Sequence, residues 1–531
     1  IIKSGYNQNI KDFHKLVALI MKKIFIKDWL YYHPYKRSDE VDRYYTDVAN
    51  EIKNILYKSG IDVDERVMKE IALVMSAWFE DVISMTGIWA TFTEMCEKRY
   101  GSRLPFYEIG EDYEPDEVNE EDVRFLLWHC LQRNMEGKSV INPENPGIAM
   151  VAKTITSFFE AEFEYAPENE RMQEFFDAPE LEETDFYRYR DMLTWFCYQC
   201  YIGYGNDFDF LKDQADILKE YRDDQIDKNL LMYDARISRA LSGRKNLLSL
   251  TAPEWLAAVW RRSSSSEPAI WDDVEVTGRR YFLYKGQDEQ CIYLQDAWGE
   301  KREYAVTRDS VNLKTDQMEE GKTVLYSQLV KFGRYWWQNG IVVSSEKSSE
   351  TDEDIADDNG ETGKTNARED FEHFMQASGG KFFVYCRDQE EMADFMLNKM
   401  NYKLGNEVNL PEVGPSGALL MASPCTGIHV QVKLLEGVCF PENAAYDQEK
   451  AKTVAVLYMV NPTVIPYDLS CVMQDLGMLP DASLNSLEGK EHGRDFVRRN
   501  ARFLTDYFYH KYRERDFNEE DYRPWLPDGK A

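Results

Sequence analysis

The sequence lacks any apolar run close to the ~18 residues that a membrane-spanning helix needs. Its short apolar stretch near the N-terminus ends at Lys22 and Lys23, with no small-residue cleavage site after it. Cysteine is also sparse, with 9 in 531 residues and no dense spacing. These absences argue against a membrane span, a secretory signal and a disulfide framework, and they favour a reduced, cytoplasmic compartment.

Basic residues are too few to balance the acidic ones, because 63 Lys and Arg stand against 95 Asp and Glu, for a net charge of -32. Nucleic-acid affinity rests on Lys and Arg that displace counterions from phosphates. An unknown protein partner is therefore a better prediction than nucleic acid. With 43% hydrophobic residues the chain has enough apolar surface to fold, so a wholly disordered protein is excluded.

The hydrophobic pattern predicts an α+β multidomain protein. Helical spacing dominates the first half, where Val67, Ile71, Val74, Trp78 and Val82 advance by three or four residues. Short β-rich segments with turns at Gly follow and predict a small barrel or twisted sheet, since closing a small sheet hides its edges. The predicted units are a mainly helical domain (1–245), a small β-barrel-like middle domain (246–345), an acidic flexible linker (346–367) and an α+β C-terminal domain (368–531).

The linker prediction rests on composition. Residues 346–367 carry eight acids and a single sizeable aliphatic side chain, Ile355. Such a segment cannot bury enough apolar surface to order itself. We therefore expect a flexible tether between the middle and C-terminal domains.

One string in the C-terminal domain suggests chemistry. Pro480-Asp481 followed by Glu488-Gly-Lys490 matches the signature of restriction-type nucleases, in which two carboxylates hold Mg2+ and the lysine orients water. Asp481, Glu488 and Lys490 are therefore candidate catalytic residues. The three must project from one β-hairpin, whereas the spacer here is short and looks like a loop entering a helix. The string also arises by chance in a chain with 30% charged residues.

Two cysteine patterns are weaker. Cys197 and Cys200 form a C-x-x-C inside a predicted aromatic-rich helix, without the further ligands that zinc needs, which favours buried structural thiols. Cys425 and His429 are four residues apart, roughly 13 Å in an extended strand. Only a turn at Pro424 or Gly427 would bring them together. We predict no resident metal or cofactor.

Two sets of residues are candidates for binding. Arg494, Arg498 and Arg502 recur every four residues on one predicted helix, which is typical either of a solvated face paired with acids or of a dock for an acidic partner. A second candidate is a stacking platform formed by the adjacent aromatic residues Tyr335, Trp336 and Trp337. Neighbouring tryptophans more often divide between core and surface.

Three segments resemble an uncharacterised bacterial protein family of the Bacteroides group: Ile26-Lys-Asp-Trp-Leu-Tyr-Tyr-His-Pro-Tyr35, Leu419-Leu-Met-Ala-Ser-Pro-Cys-Thr-Gly427 and the stretch from Met478 to Gly493. The resemblance implies a bacterial protein without an assigned activity, so it carries over no functional residues. It also suggests Met21 as the natural start, with residues 1–20 as upstream sequence or an extra helix.

The sequence favours a non-enzymatic protein-interaction or scaffold protein. The first alternative is a Mg2+-dependent nuclease or other hydrolase in the C-terminal domain. The second is an acidic binder that imitates nucleic acid, for which the acids must form a continuous stripe on a folded face.

Overall fold

The computed structural model describes residues 23–135, 139–220, 227–264, 267–297, 301–311, 313, 318–348, 361–401 and 410–511. The predicted upstream segment, residues 1–20, lies outside these ranges. The α-helices of the described residues are α1 (Ile26–Trp29), α2 (Glu40–Ser59), α3 (Glu65–Ser84), α4 (Ile88–Tyr100), α5 (Glu120–Asn134), α6 (Pro146–Glu162), α7 (Glu170–Phe176), α8 (Phe186–Tyr198), α9 (Asn206–Glu220), α10 (Lys228–Ser242), α11 (Ala252–Ser263), α12 (Glu361–Ser378), α13 (Gln389–Ala393), α14 (Gln448–Val460), α15 (Tyr467–Asp475) and α16 (Lys490–Tyr509).

The strands form two sheets, so the fold is mixed α and β. They are β1 (Glu275–Val276), β2 (Arg280–Gln287), β3 (Cys291–Asp296), β4 (Glu303–Thr307), β5 (Thr323–Phe332), β6 (Tyr335–Glu346), β7 (Phe383–Cys386), β8 (Ala418–Ser423) and β9 (Gly427–Gln431). The first six make one sheet and the last three make an antiparallel sheet in the order β7-β8-β9.

Helix α3 shows how local sequence sets an element. The predicted apolar stripe is buried along its length. The Asp64 side chain accepts a hydrogen bond from the backbone N–H of Val67 and caps the first turn. At the other end Met85 adopts a left-handed conformation with φ 48 and stops the helix.

The six-stranded sheet curls on itself but is not a true barrel. Its order is β1-β5-β2-β3-β4-β6, and β5 also pairs with β6. The seam between β4 and β6 is a single parallel pair, Val306 with Trp336. The prediction of a small barrel or twisted sheet is therefore confirmed as a curled six-stranded sheet, and a true barrel does not form because a single residue pair joins β4 to β6. Its interior is a small apolar core around Phe282, Leu294 and Trp336.

Helix α16 joins the C-terminal part of the described chain to the N-terminal helices. Phe496 of α16 stacks on Phe106, with ring centroids 5.6 Å apart, and Phe503 meets the same ring edge-on at 5.2 Å. Phe106 has a left-handed backbone, φ 75, which is costly for an aromatic residue. Its N–H donates to the Asn500 side-chain oxygen at 3.0 Å, so α16 helps to hold that conformation.

Part of the predicted flexible linker lies in the described residues. Helix α12 begins at Glu361, so it takes up the final part of the predicted flexible linker, while residues 349–360 lie outside the described ranges.

Among the described residues, no single helix is both long and apolar enough to cross a bilayer. Taken together, α3 and α4 have the length and composition of a membrane span, but they meet at a bend of 92°.

Candidate functional site

The three candidate catalytic residues face different partners. Asp481 is buried and accepts hydrogen bonds from Tyr446 and, at 3.2 Å, from Gln448, while Arg494 pairs with it at 2.9 Å. Glu488 pairs with His492 at 3.1 Å, and Lys490 pairs with Glu449 at 3.3 Å. No hydrogen bond or ion pair between described residues joins any two of the three.

The backbone explains this separation. Asp481 and Glu488 lie in irregular structure between α15 and α16, and Lys490 is the first residue of α16, so the β-hairpin of nuclease chemistry is missing there. Within the described parts of the chain, no three or more His, Cys, Asp or Glu side chains form a group that could hold a metal ion.

The candidate arginines lie on α16 beside acids. Arg494 pairs with Asp481, Arg498 with Asp495 at 2.8 Å, and Arg502 approaches Asp475 at 3.9 Å. Arg498 is the most exposed of the three, at 80% of its side chain. The local positive charge of this helix face is thus largely offset within the chain.

The three adjacent aromatics divide between different environments. Trp336 points into the curled sheet, where it meets Tyr304 edge-on at 4.8 Å. Trp337 points the other way and stacks on Phe186 of α8 at 5.2 Å. Tyr335 is half-buried, so the trio offers no continuous stacking face.

The structure also shows where the two cysteine patterns lie. Cys197 and Cys200 are buried in and just after α8. The chain turns between β8 and β9, where Gly427 has φ 78, so the extended separation assumed for Cys425 and His429 does not hold. The His429 Nε2 atom instead lies 2.9 Å from the Thr426 hydroxyl.

A cavity that the sequence did not indicate lies between α1 with the turn after it, α3, and the segment that leads from the end of α8 into α9. It has a volume of about 570 Å3. Aromatic side chains make up much of its wall, and we call it the aromatic pocket: Tyr31, Tyr32, Tyr198, Tyr204 and Phe208. Tyr204 and Phe208 meet edge-on at 5.5 Å, as do Tyr31 and Tyr32.

Charged groups of the pocket are mostly paired with one another. Asp28 pairs with Lys69 at 2.9 Å. Glu70 pairs with Arg66 at 2.9 Å and accepts a hydrogen bond from the Tyr204 hydroxyl at 2.9 Å. Each carboxylate therefore has a cationic partner from the chain itself.

The third carboxylate of the pocket, Asp207, is also satisfied. It accepts a hydrogen bond from the Tyr31 hydroxyl at 2.6 Å and pairs with Arg236 at 2.9 Å. Burial, together with the hydrogen bond to Asp207, raises the pKa of Tyr31. Burial and the nearby Glu70 charge raise the pKa of Tyr32. Both hydroxyls therefore stay protonated and can donate hydrogen bonds at neutral pH.

The opposite side of the same chain segment forms a buried polar network. His33 and Glu80 are almost fully buried, and the His33 Nε2 atom lies 2.8 Å from the Glu80 carboxylate. The other ring nitrogen lies 3.0 Å from the Trp29 carbonyl oxygen. When Glu80 is ionised, both partners accept, so both ring nitrogens donate and His33 is the charged imidazolium.

Further donors satisfy the remaining acceptors of this network. Asn169 donates to the second Glu80 oxygen at 2.8 Å and to the Tyr35 hydroxyl at 2.7 Å. Buried Asp42 accepts from Trp29 Nε1 at 3.1 Å and from Tyr35 at 3.0 Å. We call these residues the sealed network; the set is Trp29, His33, Tyr35, Asp42, Glu80 and Asn169.

The aromatic pocket was missed because its walls are distant in sequence. Tyr31 and Asp207 are separated by 176 positions. The only local signal is the density of tyrosine in the segments 31–35 and 198–204, which is equally typical of core.

Comparison with known proteins identifies the family of the chain. No curated protein and no solved structure matches the chain. A family model does match, over residues 23–335 and 333–510, which covers most of the chain and confirms the resemblance to an uncharacterised family. The chain belongs to the family described as Protein of unknown function (DUF3843).

Proposed function

We propose that this is a non-enzymatic protein-interaction protein that binds its partner through an aromatic cluster on α8 and α10. The observation that carries the proposal is the arrangement of Tyr187, Arg190 and Tyr233, with Leu230 one turn away on α10. Tyr187, Leu230 and Tyr233 expose 40%, 50% and 51% of their surface. Large apolar side chains grouped at a surface favour a protein interface.

The cluster is held in a defined geometry. The Arg190 guanidinium lies 4.9 Å from the centroid of the Tyr187 ring and donates to the Tyr233 hydroxyl at 3.4 Å. Trp337 supports Tyr187 from beneath, edge-on at 5.8 Å. Tyrosine and arginine are over-represented among the residues that dominate binding energy, and rigid side chains lose little entropy on binding.

The alternative of a Mg2+-dependent nuclease has less support. Its candidate residues face separate partners, as described above, and Asp481 already accepts three donors. Two other predictions stay open: that the exposed Arg498 helps to bind an acidic partner, and that the chain imitates nucleic acid. The aromatic cluster is evidence neither for nor against them.

Affinity capture from a lysate of the organism that encodes the chain tests the proposal. The bait would be the unmodified protein beside the double variant Tyr187→Ala/Tyr233→Ala, with co-purifying proteins identified by mass spectrometry. We expect one or more proteins to be lost from the variant by about tenfold or more, as is typical when two anchoring aromatics are removed.

The matched control is Tyr165→Ala. Tyr165 is more exposed, at 79%, and lies between α6 and α7, away from the cluster. Its replacement should leave capture unchanged. The proposal would be wrong if the same proteins came down with the double variant, or if the control lost them equally, provided that circular dichroism shows both variants folded.

A further inference from the structure

We propose that the aromatic pocket binds a planar aromatic molecule that carries an anionic group. This inference concerns a small ligand and a pocket whose lining shares no residue with the proposed interface around Tyr187 and Tyr233, so it does not depend on the proposed protein partner.

Size and wall chemistry set the class of ligand. Pockets for small molecules usually measure about 300–1,000 Å3 and have mostly apolar or aromatic walls. At about 570 Å3, the aromatic pocket lies within that range and has room for a two-ring compound. The rings of Tyr204 and Phe208 stand at 79° to each other, so they offer a planar ligand both stacked and edge-on contacts.

Charge sets the second requirement. The three carboxylates of the pocket are each paired with a cation of the chain, as described above. Lys27 is exposed at the rim, and no described residue forms an ion pair with it. Among the described residues, the pocket therefore presents one positive charge without an ionic partner, in a chain whose net charge is -32. An anionic group on the ligand would complement it.

A polar handle inside the pocket supports the same ligand. Tyr32 lines the wall, and its hydroxyl forms no hydrogen bond with any described residue, whereas those of Tyr31 and Tyr204 do. A hydroxyl without a partner among the described residues is free to donate to a ligand. A ligand oxygen could accept this hydrogen bond from Tyr32.

Binding of 1-anilinonaphthalene-8-sulfonate, a fluorescent aromatic anion, tests the inference on the full chain. We expect saturable binding that Lys27→Glu weakens about fivefold, since a partly exposed ion pair contributes up to ~1 kcal/mol and reversal adds repulsion. Phe208→Ala should weaken it about tenfold through lost ring contact. Lys23→Glu is the matched control, because Lys23 lies on the same segment but pairs with Asp47 instead of lining the pocket.

Competition experiments distinguish the contribution of the ligand's negative charge from that of its aromatic rings. 2-Naphthoate should displace the probe at concentrations about fivefold lower than those of uncharged 2-naphthamide. Equal displacement by the two would refute the anionic requirement. Absence of saturable binding, or a site that neither Lys27→Glu nor Phe208→Ala weakens more than Lys23→Glu does, would refute the pocket assignment itself.

Discussion

Residues 29–35 have two sides with opposite character. Trp29, His33 and Tyr35 face the sealed network, in which the acceptors of two buried carboxylates meet donors from the chain. Tyr31 and Tyr32 face the aromatic pocket, where one hydroxyl has no partner among the described residues. One short segment thus serves stability on one side and leaves binding capacity on the other.

The difference follows from hydrogen-bond accounting. A buried polar group costs free energy unless it is paired, so a satisfied network rigidifies a fold but has no capacity left for a ligand. A partly open pocket can leave a donor unpaired at small cost because water reaches it. Substitutions on the two sides should therefore separate effects on stability from effects on binding.

The largest expected effect is on the sealed side. His33→Ala would leave the Glu80 carboxylate buried with Asn169 as its remaining donor. Breaking a buried pair in this way costs about 3–5 kcal/mol. Urea unfolding followed by tryptophan fluorescence would measure the loss.

A second histidine provides the control for that variant. His492 also pairs with a glutamate, Glu144, at 2.6 Å, but both side chains are about one quarter exposed. His492→Ala should destabilise the protein much less than His33→Ala does, because solvent screens an exposed ion pair. Equal losses for the two variants would show that the network at His33 is not sealed.

The next effect is a dependence on pH. Burial acts to lower the pKa of His33, but the Glu80 charge and its hydrogen bond outweigh burial, so the net pKa is raised above 6.5. The raised pKa adds stability that is fully present below pH 6.5 and is lost as the pH rises through the folded-state value.

His33→Gln isolates this contribution. Glutamine keeps an amide donor for Glu80 but does not titrate, so its cost should be smaller than that of alanine. The difference in unfolding free energy between the wild type and His33→Gln should shrink as the pH is raised from 6 to 9. A constant or growing difference would contradict a charged His33.

The smallest effects distinguish the two tyrosines. Tyr35→Phe removes a hydroxyl that donates to Asp42 and accepts from Asn169, and should cost about 1–3 kcal/mol. Tyr32→Phe removes a hydroxyl without a described partner and should change stability by no more than about 0.5 kcal/mol. If calorimetry gave the same loss of stability for Tyr35→Phe and Tyr32→Phe, the distinction between a sealed network and an open pocket would be wrong.

Elements with local signals were predicted well from sequence. The apolar stripe predicted α3, and the short β-rich segments with turns at Gly predicted the strands of the curled sheet, which turns at Gly333 between β5 and β6. In both cases the pattern depends on neighbours a few positions away.

Features that depend on distant pairs were not predicted. The single-pair seam of the curled sheet joins Val306 to Trp336, and the aromatic pocket joins residues near 31 to residues near 207. The string around Asp481 has the residue types of a metal site, but its backbone is irregular, which residue spacing alone did not decide. The division into domains stays a prediction.

The contact between Phe106 and α16 has a consequence for synthesis. The hydrogen bond from Phe106 to Asn500 spans 394 positions. At translation rates of about 5–20 residues per second, roughly 20–80 s pass between the synthesis of its two ends. Until then the aromatic surface around Phe106 has no α16 to cover it, and a ribosome-bound chain that stops short of α16 should be cut by protease faster than the full chain. The nascent protein therefore carries this uncovered aromatic surface until α16 has been synthesised and packs against it.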